Sequence, residues 1–207
     1  KLEAAVGDLE IVDGAVRIVG TDKALDLAAI AALPGATPAM LKVHQSWQPP
    51  EATYPNGTHV CELEIDPGTG GTEILNYVVV DDFGVTLNPL MLQGQVHGGS
   101  AQGIGQALME EIRFDPDGQM LTATFMDYAL PRAVDIPNFH FETRNVRCLT
   151  NAIGVKGAGE AGAIGACPAV MNAVVDALDR AAGIKAMDMP ATPLKVFTAL
   201  KEAGYRL

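Results

Sequence analysis

The stretch HVCELEIDPGTGGTEILNYVVVDD, residues 59–82, decides the fold class. Its opening, HVCELEID, alternates apolar and polar residues, the period that sets one face of a strand against a core and the other in water. PGTGG (67–71) is turn chemistry, and EILNYVVVDD (73–82) runs back with the β-branched and aromatic residues that suit a pleated surface. The stretch predicts an antiparallel hairpin. Upstream, DLEIVDGAVRIVG (8–20) predicts a smaller one around the Asp13-Gly14 turn, followed by a short helix in DLAAIAAL (26–33). LKVHQSW (41–47), LTATFMDYAL (121–130) and FHFETR (139–144) are further candidates for extended structure.

Helices come singly. In MLQGQVHGGSAQGIGQALMEE (91–111), Leu92, Val96, Ile104 and Leu108 fall at multiples of four, and Ile112 continues the row. Gly94, Gly98, Gly99, Gly103 and Gly105 interrupt that helix at a propensity cost of about 4–5 kcal/mol, which tertiary contacts must offset. Glu110 and Glu111 close it on different faces. A later helix is expected to begin at Pro168, with Cys167, Met171, Val174 and Leu178 on one face and Gly183 as its stop, and another follows Pro193. Hairpins plus single helices read as α+β.

The chain has 207 residues, 48% of them hydrophobic, and a net charge of -11, so nucleic acid and anionic membrane surfaces would repel it. No uninterrupted apolar run of membrane-spanning length appears, and a cytoplasmic location is expected. Cys61, Cys148 and Cys167 are odd in number and widely spaced, which suggests neither disulfides nor a protein-held iron-sulfur cluster. His44, His59, His97 and His140 lack zinc-ligand spacing, so no side chain is expected to ligate a metal. DDFG (81–84) reads as a strand end with a turn. The chain opens on Lys1 directly in a plausible element, which reads as part of something longer.

Two features carry chemistry. Gln95, Gly99, Gln102 and Gln106 form a stripe of uncharged amides that either faces water or meets a polar ligand or backbone. GVKGAGEAG (154–162) holds four glycines around one carboxylate, Glu160, and so many glycines mark close approach of backbone to something. GAGEAG fits G-x-G-x-x-G, but RCLTNAIGVK is a poor strand and the helix is expected too late for dinucleotide binding.

Taken together, GQVHGGSAQGIGQALMEE, TFMDYALPRAVDIPNF, GVKGAGEAGAIGACPAVMNAVVDAL and DMPATP resemble, in order and spacing, the C-terminal part of the molybdenum-binding large subunit of the xanthine dehydrogenase and aldehyde oxidase family. The bacterial carbon monoxide dehydrogenase-like and aldehyde or aromatic hydroxylase variants are nearest in style. The resemblance runs from about Leu2 to Thr198 and implies that residues 1–207 form one C-terminal molybdenum cofactor-binding domain, a fragment or a separately encoded part. It implies Glu160 as catalytic base, with Lys156, Gly157 and Gly159 as the cofactor-side loop and Gln95 as a hydrogen-bonding partner of the pterin. Burial among small apolar neighbours would suit such a base, since it raises a carboxylate toward neutral pH.

The implied cofactor is molybdopterin with molybdenum, its cytosine dinucleotide form among the options. The implied activity is oxidative hydroxylation of an aldehyde, an N-heteroaromatic or a related small molecule, with water as oxygen source. The implied partners are the remainder of the large subunit, a 2Fe-2S subunit and an FAD subunit. The family's upstream glycine-rich loops and substrate-pocket loop are absent here, and Cys167 stands where many relatives carry proline or a small residue. The alternative is a non-catalytic scaffold or assembly fragment that keeps the fold without the cofactor.

Overall fold

The computed structural model describes residues 2–206, which fall into two compact units that divide after Gln48. The first unit is a three-stranded antiparallel sheet of β1 (Leu9–Val12), β2 (Ala15–Ile18) and β3 (Ala24–Asp26), followed by α1 (Leu27–Ala31). Asp13 and Gly14 both take positive φ, 49° and 74°, as a tight hairpin turn requires. Asp26 caps α1 by accepting from the Ala29 N–H at 2.6 Å. LKVHQSW forms no strand.

The second unit holds the long hairpin of β4 (Asn56–Asp66) and β5 (Gly71–Asp82), joined by β6 (Phe139–Thr143), and the helices α2 (Pro89–Leu108), α3 (Ala161–Ala182) and α4 (Pro193–Glu202). The sheet order is β4-β5-β6, with β6 parallel to β5. The fold is α+β, as the hairpin predicts. Between Glu62 and Leu63 the pairing slips by one residue, so Leu75 has no partner across the ladder. A bulge of this kind reverses which residues face inward. Ile74 is buried before it, and Tyr77, Val79 and Asp81 are buried after it.

The helix α3 starts at Ala161, seven residues before Pro168, with Glu160 as its N-cap residue. A favourable first position for proline does not make it the first position. Here Pro168 lies inside the helix and forgoes one main-chain bond, a loss offset by burial of Gly162, Ala166, Val170, Val174 and Leu178. By length and composition α3 could cross a membrane, but that buried face packs on α2 and β4 as a core helix does. Gly183 stops it in the left-handed conformation at φ 71°.

The seam between α2 and α3 explains two of the five glycines of α2, Gly99 and Gly103. A Cβ on Gly99 would meet Gly162 and Ala163 backbone at 3.1–3.4 Å, and one on Gly103 would lie 2.6 Å from the Ala166 Cβ. From the other side, a Cβ on Gly162 would strike the Val96 carbonyl oxygen at 2.5 Å. What approaches these glycines is another helix. Glu110 and Glu111 lie beyond the helix end, and Glu110 accepts from the Tyr128 hydroxyl at 2.6 Å. LTATFMDYAL is a series of turns, not a strand, with Thr124 donating to Asp127 at 2.9 Å.

Candidate functional site

The loop that carries the candidate residues is fixed by β5 where it ends. Asp82 accepts at one oxygen from the Gly84 N–H (2.8 Å) and the Val146 N–H (3.0 Å), and at the other from the Lys156 ammonium at 2.5 Å. Burial pushes the Asp82 carboxyl up, but Lys156 and the two backbone N–H groups outweigh it and bring it down to about 2. The strand is then continued by main-chain bonds: Lys156 N–H donates to the Phe83 carbonyl at 2.9 Å and Val85 N–H to the Gly154 carbonyl at 2.9 Å. Gly84, at φ 67°, has to be glycine because a Cβ would lie 2.2 Å from the Gly154 carbonyl oxygen. Asn151 closes the loop from within, accepting from Gly154 and Val155 and donating to the Val155 carbonyl.

On this frame the predicted residues come together around 156–160. Gln95, on α2, donates its amide to the Gly159 carbonyl at 3.0 Å. The amide stripe therefore faces the start of α3. At its far end Gln106 contacts the Cys167 sulfur at 3.6 Å, so Cys167 packs in the seam. Gly157 lies 3.7 Å, measured from an added Cβ, from the Glu160 carboxylate, whereas an added Cβ on Gly159 would touch nothing within 4 Å.

Glu160 stands exposed at the N-terminal end of α3, an end where helix polarity favours negative charge. Its side chain makes no cap bond, and among the described residues no ion pair joins it to another group. The expected burial of this carboxylate is not supplied by these residues. Lys156 pairs with Asp82 and not with Glu160, which removes charge neutralisation of Lys156 as the reason for Glu160.

The loop divides two concavities. One, of about 420 Å³, is lined by Phe83, Asn88, Met91, Gln95, Lys156 and Ala158 among others. The other, of about 190 Å³, is lined by Tyr54, Asn56, His59, Asp81, Glu160 and Ile164 among others. Gln95 and Lys156 thus open on one side and Glu160 on the other. Sequence reasoning missed Asp82, although the DDFG turn marks it, and passed over Asp81 and His59.

The N–H donors of Gln95 and Lys156 suit a polar, oxygen-rich group on their side of the loop, and the Glu160 carboxylate offers an acceptor on the other. The chain belongs to the molybdopterin cofactor-binding domain family, which it matches over residues 1–137. It is 37% identical over 95% of its length to 26% of the 6-hydroxypseudooxynicotine dehydrogenase complex subunit gamma of Paenarthrobacter nicotinovorans. It is also 37% identical to the carbon monoxide dehydrogenase large chain of Hydrogenophaga pseudoflava, covering 84% of this chain and 21% of that one. Among solved structures, quinoline 2-oxidoreductase from Pseudomonas putida 86 matches with a TM-score of 0.85 at 34% identity, over 97% of this chain and 27% of that one. The chain spans about a quarter of the length of the relatives it matches.

Proposed function

We infer that the chain forms one wall of the molybdenum cofactor site in a hydroxylase large subunit and supplies its base. The observation that carries this reading is Glu160: on a loop whose other charged side chain, Lys156, is tied to Asp82, its carboxylate is left free beside the bare backbone of Gly159. Gln95, Lys156, Gly157 and Gly159 would hold the pterin side. Gln95 and Asp82 set the loop's position, and the glycines let the cofactor come close to backbone. Bound there, the molybdenum cofactor supplies the two-electron oxidation. Glu160 takes a proton at its carboxylate oxygen as water-derived oxygen is added to an aldehyde, an N-heteroaromatic or a related small substrate. The remainder of the large subunit supplies the facing wall, and 2Fe-2S and FAD subunits carry the electrons away in the cytoplasm.

The test is stopped-flow reduction in the complete complex, normalised to molybdenum content, with a substrate found by dye-acceptor screening of aldehydes and N-heteroaromatics. Glu160→Gln keeps shape and cofactor but cannot accept the proton, so the rate should fall about 10² to 10⁴-fold. Glu160→Asp retracts the carboxylate and should fall between the two, because reach matters as well as basicity. Near-normal rates per molybdenum in Glu160→Gln would overturn the assignment.

A further inference from the structure

Behind Glu160, in the smaller concavity, lies a polar cluster that neither the fold nor the base accounts for. His59 on β4 pairs across the ladder with Val79, which places its ring diagonally between Tyr77 and Asp81 on the inward face of β5. The bulge at Leu75 is what turns both of these residues inward. His59 Nδ1 lies 2.9 Å from the Tyr77 hydroxyl, and Nε2 lies 3.6 Å from Asp81 Oδ2, an oxygen without a hydrogen-bond partner. The side chains of His59 and Asp81 are only 5% and 3% exposed.

Two glycines make room for this pair. A Cβ on Gly57 would collide with Asp81 Oδ1, and one on Gly165 of α3 would lie 2.5 Å from the His59 ring. An apolar pair would have packed here without an unpartnered carboxylate oxygen, so the cluster is retained at a cost to folding.

We propose that His59, held between Tyr77 and Asp81, receives the proton gathered by Glu160, and that the concavity they share is its exit. The proposal rests on the reading of Glu160 as base. The concavity is large enough for water, which can bridge groups beyond direct contact. In the step, the Glu160 carboxyl O–H bond breaks, a water passes the proton on, and an N–H bond forms at Nε2 of the His59 tautomer whose Nδ1–H donates to the Tyr77 hydroxyl oxygen. No electrons move. Asp81 supplies the counter-charge for the imidazolium. Tyr77 and Asp81 face His59 from β5; Glu160, the N-cap residue of α3, lines the same concavity, and Cys61 and Cys167 act on the Tyr77 hydroxyl through their charge. Burial first, and then Cys61, pushes the Tyr77 hydroxyl up, and burial pushes the Cys61 thiol up to about 11, so neither competes as an acid near neutral pH.

The experiment uses the complete complex. His59→Gln should keep molybdenum content and slow reduction roughly 10²-fold, the lower end of what proton handling contributes. His59→Gly opens a hole beside the concavity, and added imidazole should restore rate in proportion to its unprotonated fraction. A second readout needs no turnover: exchange of the His59 C2 hydrogen in D₂O, followed by mass spectrometry on cofactor-free complex. Its curve against pH should be displaced in Glu160→Gln if the two groups share a proton. Wild-type rate in His59→Gln, absence of imidazole rescue in a His59→Gly protein that retains molybdenum, or superimposable exchange curves would each overturn the proposal. Full rate in Glu160→Gln overturns the reading of the base itself, whereas full rate in His59→Gln alone removes only the relay.

Discussion

The seam between α2 and α3 and the loop of residues 154–160 are both rich in glycine, for different reasons. In the seam, Gly99, Gly103 and Gly162 are closed by the chain itself, since an added Cβ would meet the facing helix at 2.5–3.4 Å. In the loop, Gly159 is open. The seam glycines are about the fold, and so is Gly154, whose added Cβ would meet the Arg147 side chain at 2.5 Å; of the three glycines of the loop, Gly159 alone leaves backbone bare beside the candidate base. A glycine count cannot separate the two, but the position of the second helix can.

The largest effect is expected from removing what holds the loop against the sheet. Asp82→Asn leaves the largely buried Lys156 ammonium without its counter-charge. Such a loss costs about 3 kcal/mol or more when the pair is buried. Hydrogen exchange of the 83–88 and 145–156 segments should accelerate, while the α2–α3 seam stays protected. The pH dependence has a defined sign. Because the folded carboxyl lies at about 2, below its ordinary value of 3.8, its stabilisation is present above about pH 4 and is lost as pH falls through about 2. The difference between Asp82→Asn and wild type should shrink over that window. A gap that persists unchanged to pH 2 would mean that Asp82 does not hold the loop through its charge.

A smaller effect is expected at the seam. Gly162→Ala puts a methyl 2.5 Å from the Val96 carbonyl oxygen and 2.6 Å from the Ser100 nitrogen, backbone atoms that cannot swing aside. The helices must part, at a cost of about 1–3 kcal/mol, read as a lower thermal midpoint of the complete subunit. An unchanged midpoint would show that the seam has slack and would blur the distinction between closed and open glycines.

How much of this was legible follows from the range of the forces involved. The β4–β5 hairpin could be read because alternation and a Pro67-Gly68 turn are local signals, and the two turns at Asp13-Gly14 and Gly183 for the same reason. The bulge was not, since nothing in EILNYVVV distinguishes Leu75 from its neighbours. LKVHQSW and LTATFMDYAL have strand composition but find no strand partner, and composition alone does not make a ladder. Pro168 misled because its preference for a helix start is local, whereas the actual start is set by burial of Gly162 and Ala166. At the site, Glu160 stood out by its glycine setting and Gln95 by the amide stripe, whereas the roles given to them came only from resemblance. The Gln95–Gly159 hydrogen bond spans 64 residues and the Lys156–Asp82 pair 74, separations over which a single sequence carries no pairing signal.

The smallest predicted change in stability is the one that best defines the open set. Gly159→Ala adds a methyl where nothing stands within 4 Å, and its φ is not in the left-handed region. Folding should therefore be unharmed, and the reduced freedom of the unfolded chain should add about 0.4–1 kcal/mol. If Gly159 is bare because the cofactor approaches it, the same methyl should lower molybdenum occupancy of the complex, against an unchanged or raised thermal midpoint of the cofactor-free protein. Gly162→Ala should do the reverse: a lower midpoint, with molybdenum content per folded subunit kept. The measurement is thus a pair, elemental molybdenum per folded subunit and midpoint, on both variants. If Gly159→Ala keeps full molybdenum, the open glycine is open to solvent alone, and Gly159 leaves the cofactor-side set even if Glu160 remains the base.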